Sequence, residues 1–218
     1  MTSAEYSIRP YAPGDETAWV RCRVLSLLDS AYFDDVAQEK TRFTNPAIEL
    51  VAESAAAGSA AGTIAGFIDI ECEETPGAVC SARPGLAGMI WNLGVHPDCR
   101  GQGLGSGLLK HAAGLAGERG IKRLEAWTRD DPEVLAWYKA RGFMLIDTYL
   151  HVYLDHDEAG QVLESDLPGL RPVKVFSHFS KNPARFEEIR RRFKRVHDCN
   201  LFELDIQAGT NTGGGASR

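Results

Sequence analysis

Residues 92–109 read NLGVHPDCRGQGLGSGLL, and the class of fold follows from them. The apolar segment Met89–Val95 has the composition of a strand, and it ends at His96-Pro97 because proline cannot continue a ladder of hydrogen bonds. A glycine-rich turn follows, and then apolar residues recur at helical spacing: Leu104, Leu108, Leu109 and Ala112. These are the parts of an anion-binding cradle, since small residues let backbone N–H groups approach an anion and a helix N-terminus carries about half a positive charge.

Two well-known glycine-rich cradles do not fit this turn. A P-loop needs Gly-Lys-Ser/Thr at its end, and the first lysine after the turn is Lys110. A dinucleotide fingerprint needs Gly-x-Gly-x-x-Gly, but Gly101-x-Gly103 is followed by Ser106 at the last position. The turn is therefore of a third kind, or it is a glycine-rich connection without a ligand.

The run Arg100-Gly101-Gln102-Gly103-Leu104-Gly105 resembles the Arg/Gln-x-x-Gly-x-Gly/Ala signature of the GCN5-related N-acetyltransferases. The resemblance implies that the backbone of Arg100, Gly101, Gln102, Gly103, Leu104 and Gly105 binds the pyrophosphate of acetyl-coenzyme A. It also implies that the backbone amides of Leu93 and Val95 pair with the pantetheine and the acetyl carbonyl, where the central strand splays from its neighbour.

A second family motif is similar to the segment from Asp131 to Phe143. In that motif a helix carries a tyrosine four residues before Gly-Phe, and here Tyr138 precedes Gly142-Phe143 by that spacing. The family commonly has asparagine seven residues before the tyrosine, whereas this chain has Asp131, which suits helix capping better than a coenzyme contact. Tyr138 is the candidate acid for the leaving thiolate, because a phenol has a pKa of about 10; the alternative is a core aromatic.

Several residues are candidates for the general base. Asp69 and Glu71 lie on one face of the third predicted strand, because side chains alternate along a strand. Glu71 is the first candidate, acting directly or through water, and solvated strand carboxylates are the alternative. Asn92 lies on the central strand and His96 directly after it, where His96-Pro97 is typical of a turn.

The alternation of strand-like and helix-like segments predicts an α/β fold. The family resemblance implies that its sheet is mixed, with helices on both faces and a splay at the central strand. A GNAT-like core is expected over residues 1–154, followed by an acidic insertion or linker over 155–168. A C-terminal strand-helix-strand extension is expected over 169–207, and a disordered tail over 208–218. Residues 54–61 are expected to form a hairpin loop between two strands, and residues 73–87 a mobile loop.

The predicted extension has three parts. Leu170–Phe179 alternates like a strand. The helix from Pro183 buries Phe186, Ile189, Phe193 and Val196 and exposes a basic face. Such a face is typical of a solvated surface, and contact with coenzyme phosphate, RNA or an acidic partner is the alternative. Leu201–Ile206 reads as an edge strand or a dimer contact. A metal site at His197-Asp198-Cys199 is disfavoured, because consecutive residues at a helix end point in different directions.

Composition and charge restrict the partners and the cellular location that we expect for this chain. The 218 residues carry a net charge of −6, which argues against a nucleic-acid partner. The five cysteines are scattered, no signal-peptide pattern begins the sequence, and no stretch reaches the roughly 20 apolar residues of a membrane span. A cytoplasmic protein without a membrane partner or a metal is expected.

The predicted activity is transfer of an acetyl group from acetyl-coenzyme A to a primary amine of a small molecule, a peptide or a protein. A direct route in a ternary complex is expected, since no cysteine lies at a helix start beside an activating partner. The acidic residues point weakly to a cationic acceptor such as a polyamine, a lysine or an aminoglycoside-like amine. Alternatives are another acyl-coenzyme A donor, or a non-catalytic acyl-coenzyme A sensor or interaction module; a homodimer is compatible with each.

Overall fold

A computed structural model describes residues 6–54, 63–180 and 182–206. The chain divides into two compact units, one of residues 1–126 with 203–218 and one of residues 127–202. The strands are β1 (Tyr6–Pro10), β2 (Ala47–Ser54), β3 (Ile64–Cys72), β4 (Ala87–Val95), β5 (Arg123–Thr128), β6 (Met144–Asp155), β7 (Lys174–Phe179) and β8 (Arg195–Asp205). The helices are α1 (Glu16–Leu27), α2 (Leu104–Glu118), α3 (Pro132–Lys139), α4 (His156–Ala159) and α5 (Phe186–Arg192). The predicted hairpin loop and tail fall largely on 55–62 and 207–218, outside the described residues.

The first unit is built on a mixed sheet, as predicted. Strands β1 to β4 are antiparallel neighbours in sequence order, and β4 runs parallel to β5 over Ala87–Met89 and Arg123–Glu125. Every residue of β3 is buried, which requires cover on both faces. Helix α1 packs on β3 and β4, while α2 packs on β2, β3 and β4. The mixed α/β fold class is thereby confirmed.

The two faces of β3 belong to different helices. Phe67 lies on the α1 face, where its ring packs 5.1 Å from that of Trp19. Gly66 lies on the other face, where a side chain would come within 3.2 Å of Leu108 in α2. Because side chains alternate, Asp69 and Glu71 share the α1 face with Phe67.

Strand β4 carries one extra residue relative to β3. Asp69 lies opposite Asn92, but the next residue, Ile70, lies opposite Ile90, so that Trp91 has no partner in the register. This is the geometry of a β-bulge. It brings Asn92 to the α1 face opposite Asp69, where an uninterrupted alternation from Met89 would have placed it on the α2 face.

The segment between β3 and β4, expected to be mobile, is organised around a buried carboxylate. Glu73 is 3% exposed. Its carboxylate accepts hydrogen bonds from four backbone amides, those of Gly77, Val79, Cys80 and Ala87. The expectation missed this anchor because a glutamate in a loop rich in glycine and proline looks solvated in the sequence.

Replacing Glu73 by alanine should destabilise the chain, because it leaves four inward-facing N–H groups without their acceptor. We expect Glu73→Ala to lower the free energy of unfolding by about 2–4 kcal/mol, measured by urea denaturation. The exposed neighbour Glu74 provides the matched control, and Glu74→Ala should change it by less than about 0.5 kcal/mol. Equal effects of the two substitutions would contradict the anchoring role.

In the second unit β6 lies between β8 and β7, and β6 pairs with β7 in antiparallel register from Leu150 opposite Phe179 to Asp155 opposite Lys174. The predicted Leu170–Phe179 strand is therefore present, starting at Lys174. Its core combines residues from β6, α4, α5 and the α5–β8 junction: Leu150, Val152, Leu154, Ala159, Phe186, Ile189 and Phe193. The acidic insertion begins as α4, which buries Glu158 and Ala159.

Two expectations for the C-terminal region are wrong. The basic helix ends at Arg192, so Phe193 caps it and Val196 belongs to β8. Their 3–4 spacing also fits a short helix followed directly by a strand. Leu201 and Phe202 are 4% and 1% exposed within β8, so these two residues do not form the exposed edge that was expected of Leu201–Ile206. The dimer contact expected there stays a prediction.

Candidate active site

The glycine-rich turn after β4 has an open backbone. Gly101 and Gly103 have φ angles of +75° and +81°, in the left-handed region that favours glycine, and α2 begins directly afterwards at Leu104. A Cβ added at either glycine would meet no atom within 4 Å. The turn can therefore admit a ligand close to its backbone.

Side chains hold this turn in place. Arg100 Nη2 donates a 2.9 Å hydrogen bond to the carbonyl of Ser26 in α1. The hydroxyl of Tyr6 in β1 is hydrogen-bonded to the side chains of Cys99 and Gln102, and the bond to Cys99, together with burial, raises the pKa of Tyr6. Arg100 and Gln102 thus fix the turn to α1 and β1.

The start of α2 offers donors for an anion. Its N-cap is Gly103, which has no side-chain acceptor, and the first N–H groups of a helix have no partner within it. The helix is fifteen residues long, so its N-terminal end carries the positive pole of a sizeable dipole. The turn and the helix start together fit a phosphate or pyrophosphate group.

The end of β4 directs alternate peptide groups to opposite sides. The amide of His96 donates to the carbonyl of Ala65 at 2.8 Å, and the carbonyl of Gly94 lies on the same side, 3.0 Å from where a Cβ on Gly66 would be. Since peptide orientation alternates along a strand, the N–H groups of Leu93 and Val95 point away from β3. These are the amides that the family resemblance assigns to the coenzyme.

Glu71 lies on the α1 face and is held by three donors. Its Oε1 accepts from the backbone and side-chain amides of Asn45 at 3.1 and 2.8 Å, and its Oε2 accepts from Trp91 Nε1 at 2.8 Å. Burial alone would raise the pKa of Glu71, but the hydrogen bonds from Asn45 and Trp91 hold it below its ordinary value. The carboxylate is ionised and fixes the bulged tryptophan.

Asp69 has a different environment on the same strand face. Its side chain is fully buried, with Lys40 Nζ 3.0 Å from Oδ1. Burial raises the pKa of Asp69 to about 6, against a smaller lowering by Lys40. The alternation of side chains along the strand predicts that Asp69 and Glu71 share a face, but their different environments come from residues distant in sequence.

Asn92 and His96 have structural partners of their own. Arg23 in α1 donates through Nε to Asn92 Oδ1 at 3.1 Å and pairs with Asp35 at 3.3 Å. His96 Nδ1 accepts from the amide of Asp98 at 3.2 Å, as expected for turn chemistry.

Tyr138 belongs to the second unit and is 6% exposed. Its ring stacks on Phe202 at 5.4 Å and meets Phe143 edge-on at 4.9 Å. Burial raises the pKa of Tyr138, so its phenol is protonated at neutral pH. Gly142 ends this segment with a φ of +84°, as predicted, whereas Asp131 occupies the N-cap of α3 without a side-chain capping bond.

His197, Asp198 and Cys199 lie on β8 and not on the helix end that the sequence predicted. His197 Nδ1 lies 2.8 Å from Asp130 Oδ1, and Asp198 pairs with Arg190. Over residues 6–54, 63–180 and 182–206, no group of three or more His, Cys, Asp or Glu side chains is placed to hold a metal ion.

The sequence model of the acetyltransferase (GNAT) family matches residues 18–143, more than half of the chain. The chain belongs to the GNAT family. The matched range contains the strand, the glycine turn and the helix of the cradle. The GNAT resemblance noted in the sequence is thereby confirmed, and the chain is a GNAT-family acetyltransferase.

Solved structures agree on the fold. NAA60 of Arabidopsis thaliana in complex with a bisubstrate analogue is 15% identical, with 92% of this chain and 98% of that chain covered and a TM-score of 0.57. The ribosomal-protein-S18-alanine N-acetyltransferase of Escherichia coli is 15% identical, with 95% and 98% covered and a TM-score of 0.50. yncA of Salmonella typhimurium with its cofactor acetyl-CoA is 14% identical, with 99% and 98% covered and a TM-score of 0.53.

The described part of this GNAT chain contains no helix long and apolar enough to cross a membrane.

The two carboxylates should give opposite pH dependences of stability. The folded-state pKa of Asp69 is raised to about 6, so its contribution to stability is present at low pH and is lost as the pH rises from about 4 through 6. The pKa of Glu71 is lowered, so its contribution is present at neutral pH and is lost as the pH falls below about 4.3. Asp69→Asn should remove the loss of stability on raising the pH, and Glu71→Gln should remove the loss of stability on lowering it.

Urea denaturation at pH values from 3.5 to 7.5, on the wild type and both variants, measures these slopes. Indistinguishable pH profiles for Asp69→Asn and Glu71→Gln would contradict the difference in environment.

Proposed function

We propose that this chain transfers an acetyl group from acetyl-coenzyme A to a primary amine, directly and in a ternary complex. The observation that carries the proposal is the open glycine turn at the N-terminus of α2, where Gly101 and Gly103 leave the backbone accessible. When bound, acetyl-coenzyme A supplies an activated thioester. The acetyl-CoA in the yncA structure supports this donor by analogy of fold.

The residues of the turn have separable roles in this proposal. The backbone amides of residues 101–105 bind the pyrophosphate. The side chains of Arg100, Gln102 and Leu104 hold this backbone in shape. The N–H groups of Leu93 and Val95 bind the pantetheine and the carbonyl oxygen of the acetyl group, where negative charge develops during transfer. Backbone donors already held by a strand need no reorganisation at that moment, and such donors typically contribute about 3–4 kcal/mol each.

Two protons must move. The attacking amine has to lose one, and the departing thiolate has to gain one. For the donor to the thiolate we propose Tyr138, whose phenol is kept protonated by burial. For the acceptor from the amine, Asp69 has the better tuned pKa, at about 6, whereas Glu71 is engaged by three donors. Glu71 stays a candidate, and the variants below separate the two.

The acceptor is either a small-molecule amine or an amine of a peptide or protein. Among the similar structures, the Escherichia coli enzyme acts on the alanine of ribosomal protein S18. A non-catalytic module that binds partners through the basic face of α5 has less support, because Arg185 pairs with Glu188 and Arg190 pairs with Glu187 and Asp198.

Coenzyme binding can be tested with a matched pair of glycine substitutions. Gly103 and Gly120 have φ angles of +81° and +80°, and a Cβ at either would meet no atom within 4 Å, so alanine strains both backbones alike. Only Gly103 lies in the cradle. We expect acetyl-coenzyme A to bind the wild type and Gly120→Ala with equal, micromolar affinity by titration calorimetry, and Gly103→Ala at least ~10-fold more weakly.

A well-folded wild type that does not bind the coenzyme would refute the proposal. Equal losses of affinity for acetyl-coenzyme A in Gly103→Ala and Gly120→Ala would indicate that the coenzyme binds away from the turn.

Turnover can be followed as thiol release with a panel containing spermidine, a lysine peptide and an aminoglycoside. We expect Tyr138→Phe to lower kcat by ~10² while the affinity for acetyl-coenzyme A is unchanged, because phenylalanine keeps the ring packing and removes only the hydroxyl. Asp69→Asn should abolish the rise of kcat/KM near pH 6, and Glu71→Gln should preserve it. The reverse result would restore Glu71 as the base, and coenzyme binding without turnover of any amine would favour a sensor.

A further inference from the structure

A lysine ammonium is buried in the first unit among groups that recognise ammonium ions. The side chain of Lys40 is 4% exposed, and Nζ pairs with Glu49 and with Asp69 at 3.0 Å. Three ring centroids lie about equally far from Nζ, those of Tyr11 at 4.9 Å, Trp19 at 5.1 Å and Phe43 at 5.2 Å. We refer to Tyr11, Trp19, Phe43, Glu49 and Asp69 as the ammonium cage.

The chemistry of the cage suits a primary ammonium group. Carboxylate oxygens accept its N–H bonds, and aromatic faces attract its charge from the remaining directions. A neutral alcohol would leave the carboxylates without a counter-charge, and a quaternary ammonium would have no N–H to donate. The cage therefore selects both for charge and for hydrogen-bond donors.

The cage borders the strand that is proposed to hold the acyl group. Asp69 lies opposite Asn92 across the β3–β4 ladder. The residue after Asn92 is Leu93, whose N–H is one of the two proposed for the pantetheine and the acetyl carbonyl. The ammonium cage thus includes a residue of the strand next to the one that is proposed to hold the acyl group.

The present occupant comes from a segment without regular structure. Residues 35–46 contain neither helix nor strand, and the backbone amide of Lys40 donates to Glu16 Oε1 at 3.0 Å. The floor of the cage, Trp19 and Asp69, is fully buried. Its rim, formed by Tyr11, Phe43 and Glu49, is partly exposed, so a ligand can reach it once Lys40 withdraws.

We propose that the ammonium cage is a binding site for the primary ammonium group of an exogenous amine, and that Lys40 occupies it in the free chain. Its use as a subsite for the acceptor rests on the proposed acetyl transfer; the binding site itself does not. Because the ligand must displace Lys40, its apparent affinity is lowered by the fraction of molecules in which the cage is closed.

The first experiment empties the cage. Lys40→Ala should lower the Tm, and n-butylammonium should restore it saturably, while n-butanol, its neutral analogue, should not. Lys110→Ala removes an exposed lysine of the same unit and should change neither the Tm nor the response to the amine. Should Lys40→Ala not fold, Lys40→Met fills the volume without the charge and should gain nothing from n-butylammonium. Absence of rescue in a folded Lys40→Ala would overturn the proposal.

The second experiment tests displacement in the wild type. Hydrogen exchange measured by mass spectrometry should become faster in peptides covering residues 35–46 when n-butylammonium is added, and should be unchanged by n-butanol. Peptides from β6, in the other unit, provide the control for general destabilisation. Rescue of Lys40→Ala without faster exchange in the wild type would make Lys40 a permanent structural ion pair and overturn the proposal. Neither measurement uses acetyl-coenzyme A, so failure here is separable from failure of the coenzyme titration.

Discussion

The extra residue at Trp91 in β4 sets the arrangement of the candidate site. It shifts the alternation of the strand so that Asn92 lies opposite Asp69 on the α1 face, and the peptide groups of Leu93 and Val95 point away from β3. The bulged indole is held by Glu71, which is itself fixed by Asn45. A carboxylate that resembles a catalytic base in the sequence therefore also has a structural task, which is to hold the bulge in β4.

A close contact connects this strand to the cradle. A Cβ at Gly94 would lie 2.5 Å from Phe67 Cζ and 2.7 Å from Ser26 Oγ, so only glycine allows α1 to approach β4 this closely. The same turn of α1 supplies the Ser26 carbonyl that binds Arg100. The position of the glycine turn is thus fixed through α1 as well as through the strand before it.

Local features were predictable from the sequence, whereas those that depend on distant partners were not. The glycine turn and α2 were predicted from Gly101, Gly103 and the spacing of apolar residues, because these are local properties of the sequence. The bulge at Trp91 has no local signature, and burial of Asp69 against Lys40 is set by a loop 29 positions earlier in the chain. The 3–4 spacing of Phe193 and Val196 fits both a continuing helix and the observed helix end followed by β8.

The most direct measurement is a crystal structure of the chain grown with acetyl-coenzyme A. We expect the pyrophosphate to lie against the backbone amides of residues 101–105 and the thioester carbonyl to accept from the N–H of Leu93 or Val95. A coenzyme bound elsewhere, with the glycine turn empty, would contradict this expectation and leave the turn as a connection between β4 and α2.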